Sequence, residues 1–173
     1  MRVKFILLFI VGLLFFSGSL QAQDQVSIAS AKITFHFISK DVKGSLSGFE
    51  SSSKIYPDRI TESSFKGAVQ VETIKTGNFL RDWSLKSGKY FDADTYPTIT
   101  FESTQITKTS NGFTVTGTLT LKGTAKTISF NFTEQASKLV GTTTLFSSDF
   151  GIDIKKERQD NKVNVSLTLD LGN

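Results

Sequence analysis

Cysteine is absent from the 173-residue chain, and histidine occurs once, at His36. The first absence excludes disulfides, thiolate metal sites, cysteine nucleophiles and a lipid-modified N-terminal cysteine. The second excludes multi-histidine zinc or iron sites and leaves a Ser-His-Asp triad one candidate base. No glycine-rich phosphate loop leads from a strand into a helix, and no metal-ligand spacing occurs. The expectation is therefore a protein that is not an enzyme, with no metal and no cofactor.

Long apolar runs are scarce too. Phe5 to Phe16 is one, broken only by Gly12, and no second follows. Arg2 and Lys4 precede it, and Ser17-Gly18-Ser19-Leu20-Gln21-Ala22 follows it. This order predicts a secretory signal peptide over residues 1–22, leaving one domain over 23–173. The run falls short of the ~20 residues a spanning helix needs. The mature protein is expected to be soluble and periplasmic or secreted.

An excess of one charge is also missing. Losing Arg2 and Lys4 leaves 18 basic against 16 acidic residues, so the net charge falls from +4 to +2. The densest basic cluster, Lys155, Lys156 and Arg158, is interleaved with Asp153, Glu157 and Asp160 and carries no aromatics. It reads as a solvated turn and not as a nucleic-acid stripe.

What the chain has in abundance is period-two alternation. Phe113, Val115, Gly117, Leu119 and Leu121 alternate with threonines; Ile128, Phe130 and Phe132 alternate with Thr, Ser and Asn. Val163, Val165, Leu167, Leu169 and Leu171 repeat the pattern. Each run makes a strand with one apolar face. Ile33, Phe35 and Phe37 mark a first strand, about residues 26–38, and a second covers about 42–56, with Gly44 and Gly48 suggesting a bulge or bend. Phe65, Gly67, Val69 and Val71 mark a third, and Ile99 with Phe101 a fourth. Residues 138–148 alternate less cleanly and bring the count to eight. Asn111-Gly112 and Lys122-Gly123 are hairpin signals.

One segment departs from this pattern. Asn78 can cap a short helix over Phe79 to Lys86, with Phe79, Leu80 and Trp83 on one apolar side. The fold class expected is all-β: an eight-stranded antiparallel lipocalin-like barrel with one short helical connection. A two-sheet sandwich gives the same alternation and remains the competing architecture.

Aromatic residues are the unusual resource. Of sixteen Phe, twelve lie beyond the expected signal. They can fill an ordinary core, or line a cavity suited to an elongated apolar molecule. In a closed barrel Phe35, Phe37, Phe65, Phe101, Phe130 and Phe132 face inward, with Val71 and Val115 as smaller inward positions. Phe79, Trp83 and Phe91 are expected to close one part of the barrel or line its cavity. His36 falls on the polar phase of its strand and reads as a surface or rim residue. Arg81, Asp82 and Asp92 read as structural or turn residues.

Several segments together resemble a known family. They are Ile33-Thr34-Phe35, Val42 with Gly44, Gly48-Phe49, and Val71-Glu72-Thr73-Ile74. The densest run is Thr76-Gly77-Asn78, Arg81-Asp82, Leu85 and Ser87, followed by Tyr90-Phe91-Asp92 and Tyr96-Pro97-Thr98-Ile99-Thr100-Phe101-Glu102-Ser103. Val115, Gly117, Leu119-Thr120-Leu121, Gly123, Phe150-Gly151-Ile152, Val163 and Val165 complete it. The chain resembles the YceI family of exported lipid-binding domains over nearly its whole mature length. The resemblance implies a lipocalin-like barrel holding a long isoprenoid lipid of quinone or polyprenyl type, for transport or storage. An enzyme or accessory factor acting on such a lipid is the alternative, with Arg81, Asp82, Asp92 and His36 as its polar groups. Transient membrane contact and a homodimer are also implied. Members often carry His a few residues after the first-strand Phe, where this chain reads Ile38-Ser39-Lys40. His36 lies on a different phase and does not inherit that role.

Overall fold

The computed structural model describes residues 25–172, so the expected signal peptide lies outside the described residues. Nine antiparallel strands are described: β1 (Ser27–Phe37), β2 (Val42–Leu46), β3 (Glu50–Ser51), β4 (Lys66–Gln70), β5 (Thr98–Thr109), β6 (Gly112–Leu121), β7 (Thr124–Gln135), β8 (Lys138–Phe146) and β9 (Lys162–Gly172). Helix α1 spans Phe79–Lys86 between β4 and β5. All nine strands belong to one sheet in the order β2-β1-β9-β8-β7-β6-β5-β4-β3. One sheet excludes the sandwich. Pairing of β1 with β9 brings the first and last strands together, as an up-and-down barrel requires.

The count is nine and not eight because the expected second strand divides. Gly48 adopts φ +68°, which interrupts an extended run, so β2 pairs with β1 while β3 pairs with β4. The two edges of the curled sheet are thus successive halves of one short stretch of chain. Further along, a bridge joins β2 to the chain beyond β4: Ser45 N–H donates to the Lys75 carbonyl at 2.8 Å, and Lys75 N–H to the Ser45 carbonyl at 3.0 Å. The third strand also ends early. Val71 begins a 3₁₀ turn and its N–H donates to the Pro97 carbonyl at 2.8 Å. The turn between β6 and β7 uses Lys122 and Gly123 at φ +48° and +71°, the left-handed pair a tight hairpin favours.

Alternation gives the strands one buried face, but the interior is not uniform along its length. At one end Phe65, Phe113, Val115, Phe130, Phe132, Leu139 and Leu169 pack with Ile55 and Ile60. Phe113 and Phe132 stack at 5.3 Å between centroids, and Phe65 and Phe132 at 5.4 Å. At the other end Leu119, Leu121, Phe150 and Ile152 gather Tyr90, Phe91, Ile99 and Leu145. Between and beside these clusters the interior is hollow.

Candidate functional site

The hollow is a cavity of about 560 Å³. Its wall is built from β1, β2 and β4 to β9, and from one side of α1. Phe35, Phe37, Phe65, Phe91, Phe101, Phe130 and Phe132 all line it. Phe65 and Phe132 make its floor, since their stack with Phe113 fills the space beyond. Phe101 and Phe130 meet edge to face, with centroids 5.4 Å apart and planes at 88°. The lining reaches exposed Lys40 and Lys66, so the cavity is not sealed from solvent.

Aromatic rings can surround open space here because several lie close against glycines. A Cβ at Gly117 would fall 2.6 Å from Phe101 Cζ, and one at Gly67 2.6 Å from Phe49 Cε2. Gly44 and Gly141 stand in the same relation to Phe35 and Phe132, at 2.3 and 2.4 Å. A ring resting on its neighbouring strand occupies the wall and leaves the axis free.

Four expected lining residues are elsewhere. Val115 points inward but is wholly buried at the filled end, as the cross-strand partner of Phe130. Val71 is drawn off the strand phase by its 3₁₀ turn and is buried away from the cavity. Phe79 and Trp83 face outward, being 80% and 69% exposed. The reason is the way α1 is held. Asn78 Oδ1 caps it by accepting from Arg81 N–H at 3.0 Å, and Leu85 is its buried residue. Arg81, Ser84 and Leu85 line the cavity, which leaves Phe79, Leu80 and Trp83 on the opposite side. The helix bounds are those expected; its orientation is reversed.

Other lining residues were not singled out from the sequence. Ile33, Leu119 and Val165 share the strand phases of residues already named, and that phase was sufficient signal. Phe49, Tyr90 and Ile154 lie in irregular segments, where no periodicity marks them.

The polar groups do not assemble into a reactive set. Arg81 Nε donates to Thr76 Oγ1 at 2.6 Å and its Nη2 to the Thr76 carbonyl at 2.7 Å. Asp82 accepts from Thr76 N–H at 2.8 Å and from the Thr76 hydroxyl. Of the four polar residues considered above, Arg81 alone lines the cavity. His36 Nε2 lies 2.7 Å from Asp41 Oδ1 and borders a separate polar groove on the outside of the sheet. Asp92 occupies a turn with φ +52°. Among the described residues, no three His, Cys, Asp or Glu are placed to hold a metal ion.

The displaced pKa values also lie on the outside. Two hydrogen bonds from Arg158, at 2.7 and 2.6 Å, hold the Asp149 carboxyl below its usual range. The same contact raises Arg158, whose guanidinium also lies 3.7 Å above the Phe146 ring. Asp170 is lowered by its bond to Lys138 and then by that from Ser30. None of the three lines the cavity.

Comparison with known proteins gives a consistent set of relatives. The family model described as YceI-like domain matches residues 24–171. A UPF0312 protein of Vibrio cholerae is 32% identical over 140 residues, covering 73% of this chain and 74% of its own. A UPF0312 protein of Vibrio parahaemolyticus is 29% identical over the same length and coverage. Among solved structures, BcnA of Burkholderia cenocepacia superposes with TM-score 0.73 at 23% identity, over 86% of this chain and 99% of that one. A polyisoprenoid binding domain from Saccharophagus degradans, implicated in plant cell wall breakdown, gives 0.54 at 12% identity, over 85% and 96%. At these identities the structural likeness establishes the fold.

Proposed function

The chain belongs to the YceI-like domain family, and from that premise we propose that it is an exported binding protein that holds a long isoprenoid lipid for transport or storage. The observation that carries this reading is the cavity of about 560 Å³ walled by aromatic rings. A pocket of this size, mostly apolar with a few polar groups, suits an apolar molecule with a small head. The described function of the Saccharophagus degradans domain supports the isoprenoid class, and the apolar run at residues 5–16 supports export by signal cleavage.

The energetics favour a carrier. Burying hydrocarbon from water is worth roughly 0.8 kcal/mol per CH₂. A lipid taken from a bilayer is already out of water, so this gain largely cancels. Net affinity then rests on packing against the Phe walls and on contacts to the head, for which Arg81 and Ser84 are the polar groups on α1. Binding is favoured over catalysis on the cargo because His36, Asp82 and Asp92 do not line the cavity.

The test is native mass spectrometry of the purified protein followed by organic extraction. A co-purified long-chain lipid is the expected result. Protein that never carries or takes up such a lipid would overturn the reading, and turnover of the lipid would replace the carrier with an enzyme.

A further inference from the structure

Helix α1 exposes its most apolar side. Phe79, Leu80 and Trp83 are 80%, 73% and 69% exposed, while the opposite side carries buried Leu85 together with Arg81 and Ser84 at the cavity. Trp83 follows Phe79 by four residues and Leu80 by three, so the side chains form one continuous patch. Large aromatic side chains offer 150–250 Å² each, so the patch is about 400–500 Å². That is at the upper end of what a monomer leaves uncovered.

Area and charge choose between two occupants. A standard protein interface needs about 800 Å² from each partner, and this patch supplies little more than half. Within the helical segment basic residues outnumber acids, and Asp92 and Asp94 follow only beyond it. Residues 75–89 contain Lys75, Arg81, Lys86 and Lys89 against one acid, Asp82. Glu72 pairs with Lys86 at 3.1 Å, and Thr76 ties Arg81 to Asp82. Exposed Lys75 and Lys89 remain at either end of the segment. Two copies meeting through this patch would bring like charges together. An anionic lipid surface would meet the lysines with headgroup charge and the Phe, Leu and Trp side chains with its acyl boundary.

We infer that Phe79, Leu80 and Trp83 form a docking surface for an anionic bilayer, with Lys75 and Lys89 facing the headgroups. The same eight-residue helix presents Arg81, Ser84 and Leu85 to the cavity, so docking brings one cavity wall against the membrane. The purpose of docking rests on the lipid-carrying reading above; the docking itself does not.

Trp83 is the chain's one tryptophan, so its emission reports on the patch directly. The purified protein is titrated with vesicles of phosphatidylglycerol or of phosphatidylcholine, both free of isoprenoid. The expected result is a blue shift and co-flotation with phosphatidylglycerol vesicles, weakened by salt. A Phe79→Ser, Leu80→Ser double variant should lower the partition coefficient by about tenfold or more. Its melting temperature should not change. No shift with either vesicle, or equal binding by the double variant, would overturn the inference. A blue shift that grows with protein concentration without vesicles would also overturn it, assigning the patch to a second copy. Loaded protein that fails to float would count against docking alone; unloaded protein that floats would support docking while counting against the carrier.

Discussion

Phe35 and Gly44 are cross-strand partners, and the Phe35 ring lies so close over Gly44 that a Cβ there would sit 2.3 Å from Cζ. The same contact recurs at Phe132 with its partner Gly141. Both rings line the cavity. A Phe-rich interior stays hollow because the glycines let the rings recline on the wall. Aromatic side chains laid over strand glycines also shield backbone that glycine leaves bare.

Gly141→Ala tests this directly. Its three nearest obstacles all belong to the Phe132 ring, so the ring must swing toward the cavity. The expected cost is about 1–3 kcal/mol, the range for overpacking, together with reduced lipid occupancy. Gly117→Ala should cost more, because its Cβ would also fall 2.4 Å from the Glu102 carbonyl oxygen, which is backbone. Thermal melts and extracted lipid provide the comparison; full occupancy at wild-type stability in Gly141→Ala would show that the ring does not shape the wall.

A paired substitution separates the hollow interior from the filled one. Leu119 lines the cavity, whereas Val115, four residues away on β6, is wholly buried beyond it. Leu119→Trp should displace cargo with a small change in stability. Val115→Trp has no space to enter and should lose at least the roughly 1–3 kcal/mol of an overpacked core. Equal destabilisation by both, with no lipid in the wild type, would mean that the interior is packed throughout.

The contrast between those two residues also marks how far the sequence could be read. Alternation identifies the inward face of each strand, and so it found Phe35, Phe37, Phe65, Phe101, Phe130 and Phe132. It carries no information about height along the barrel axis, so Val115 looked equivalent to Leu119. Gly48 signalled a break, but whether the chain bends or leaves one edge for the other depends on pairing partners far away in sequence. The α1 error has a different cause. Phe79, Leu80 and Trp83 have the pattern of a core-facing side, and what reverses it, the bonds from Arg81 back to Thr76 and the burial of Leu85, leaves no mark in apolar periodicity.

Asn161 was invisible to that reading and is central to one end of the barrel. It is wholly buried, and its side chain makes four hydrogen bonds. Oδ1 accepts from Ile154 and Lys155 N–H at 3.0 and 2.9 Å, while Nδ2 donates to the Lys155 and Glu157 carbonyls at 2.8 and 2.9 Å. At about 0.5–1.5 kcal/mol net for each bond, Asn161→Ala should cost about 2–6 kcal/mol. Hydrogen exchange should accelerate first at Ile154 and Lys155. Because Ile154 lines the cavity, lipid occupancy should fall with it.

Acid should weaken the fold through two surface carboxylates. Asp149 is lowered chiefly by its hydrogen bonds to Arg158, and Asp170 chiefly by Lys138 and then Ser30. A carboxylate with a depressed folded pKa binds fewer protons folded than unfolded in the window between the two values. Its contribution is therefore complete above the unfolded value of about 3.9 and is lost as pH falls through the lower folded value. Arg158 is raised, so its contribution is present below its already high unfolded pKa and is lost only in strong alkali. Both carboxylates are on the surface, so the effect should be small and should shrink further in salt. Urea midpoints measured from neutrality down to about pH 3 should fall less steeply below about pH 4 in an Asp149→Asn, Asp170→Asn double variant than in the wild type. Parallel acid limbs would show that these two pairs make no difference to stability.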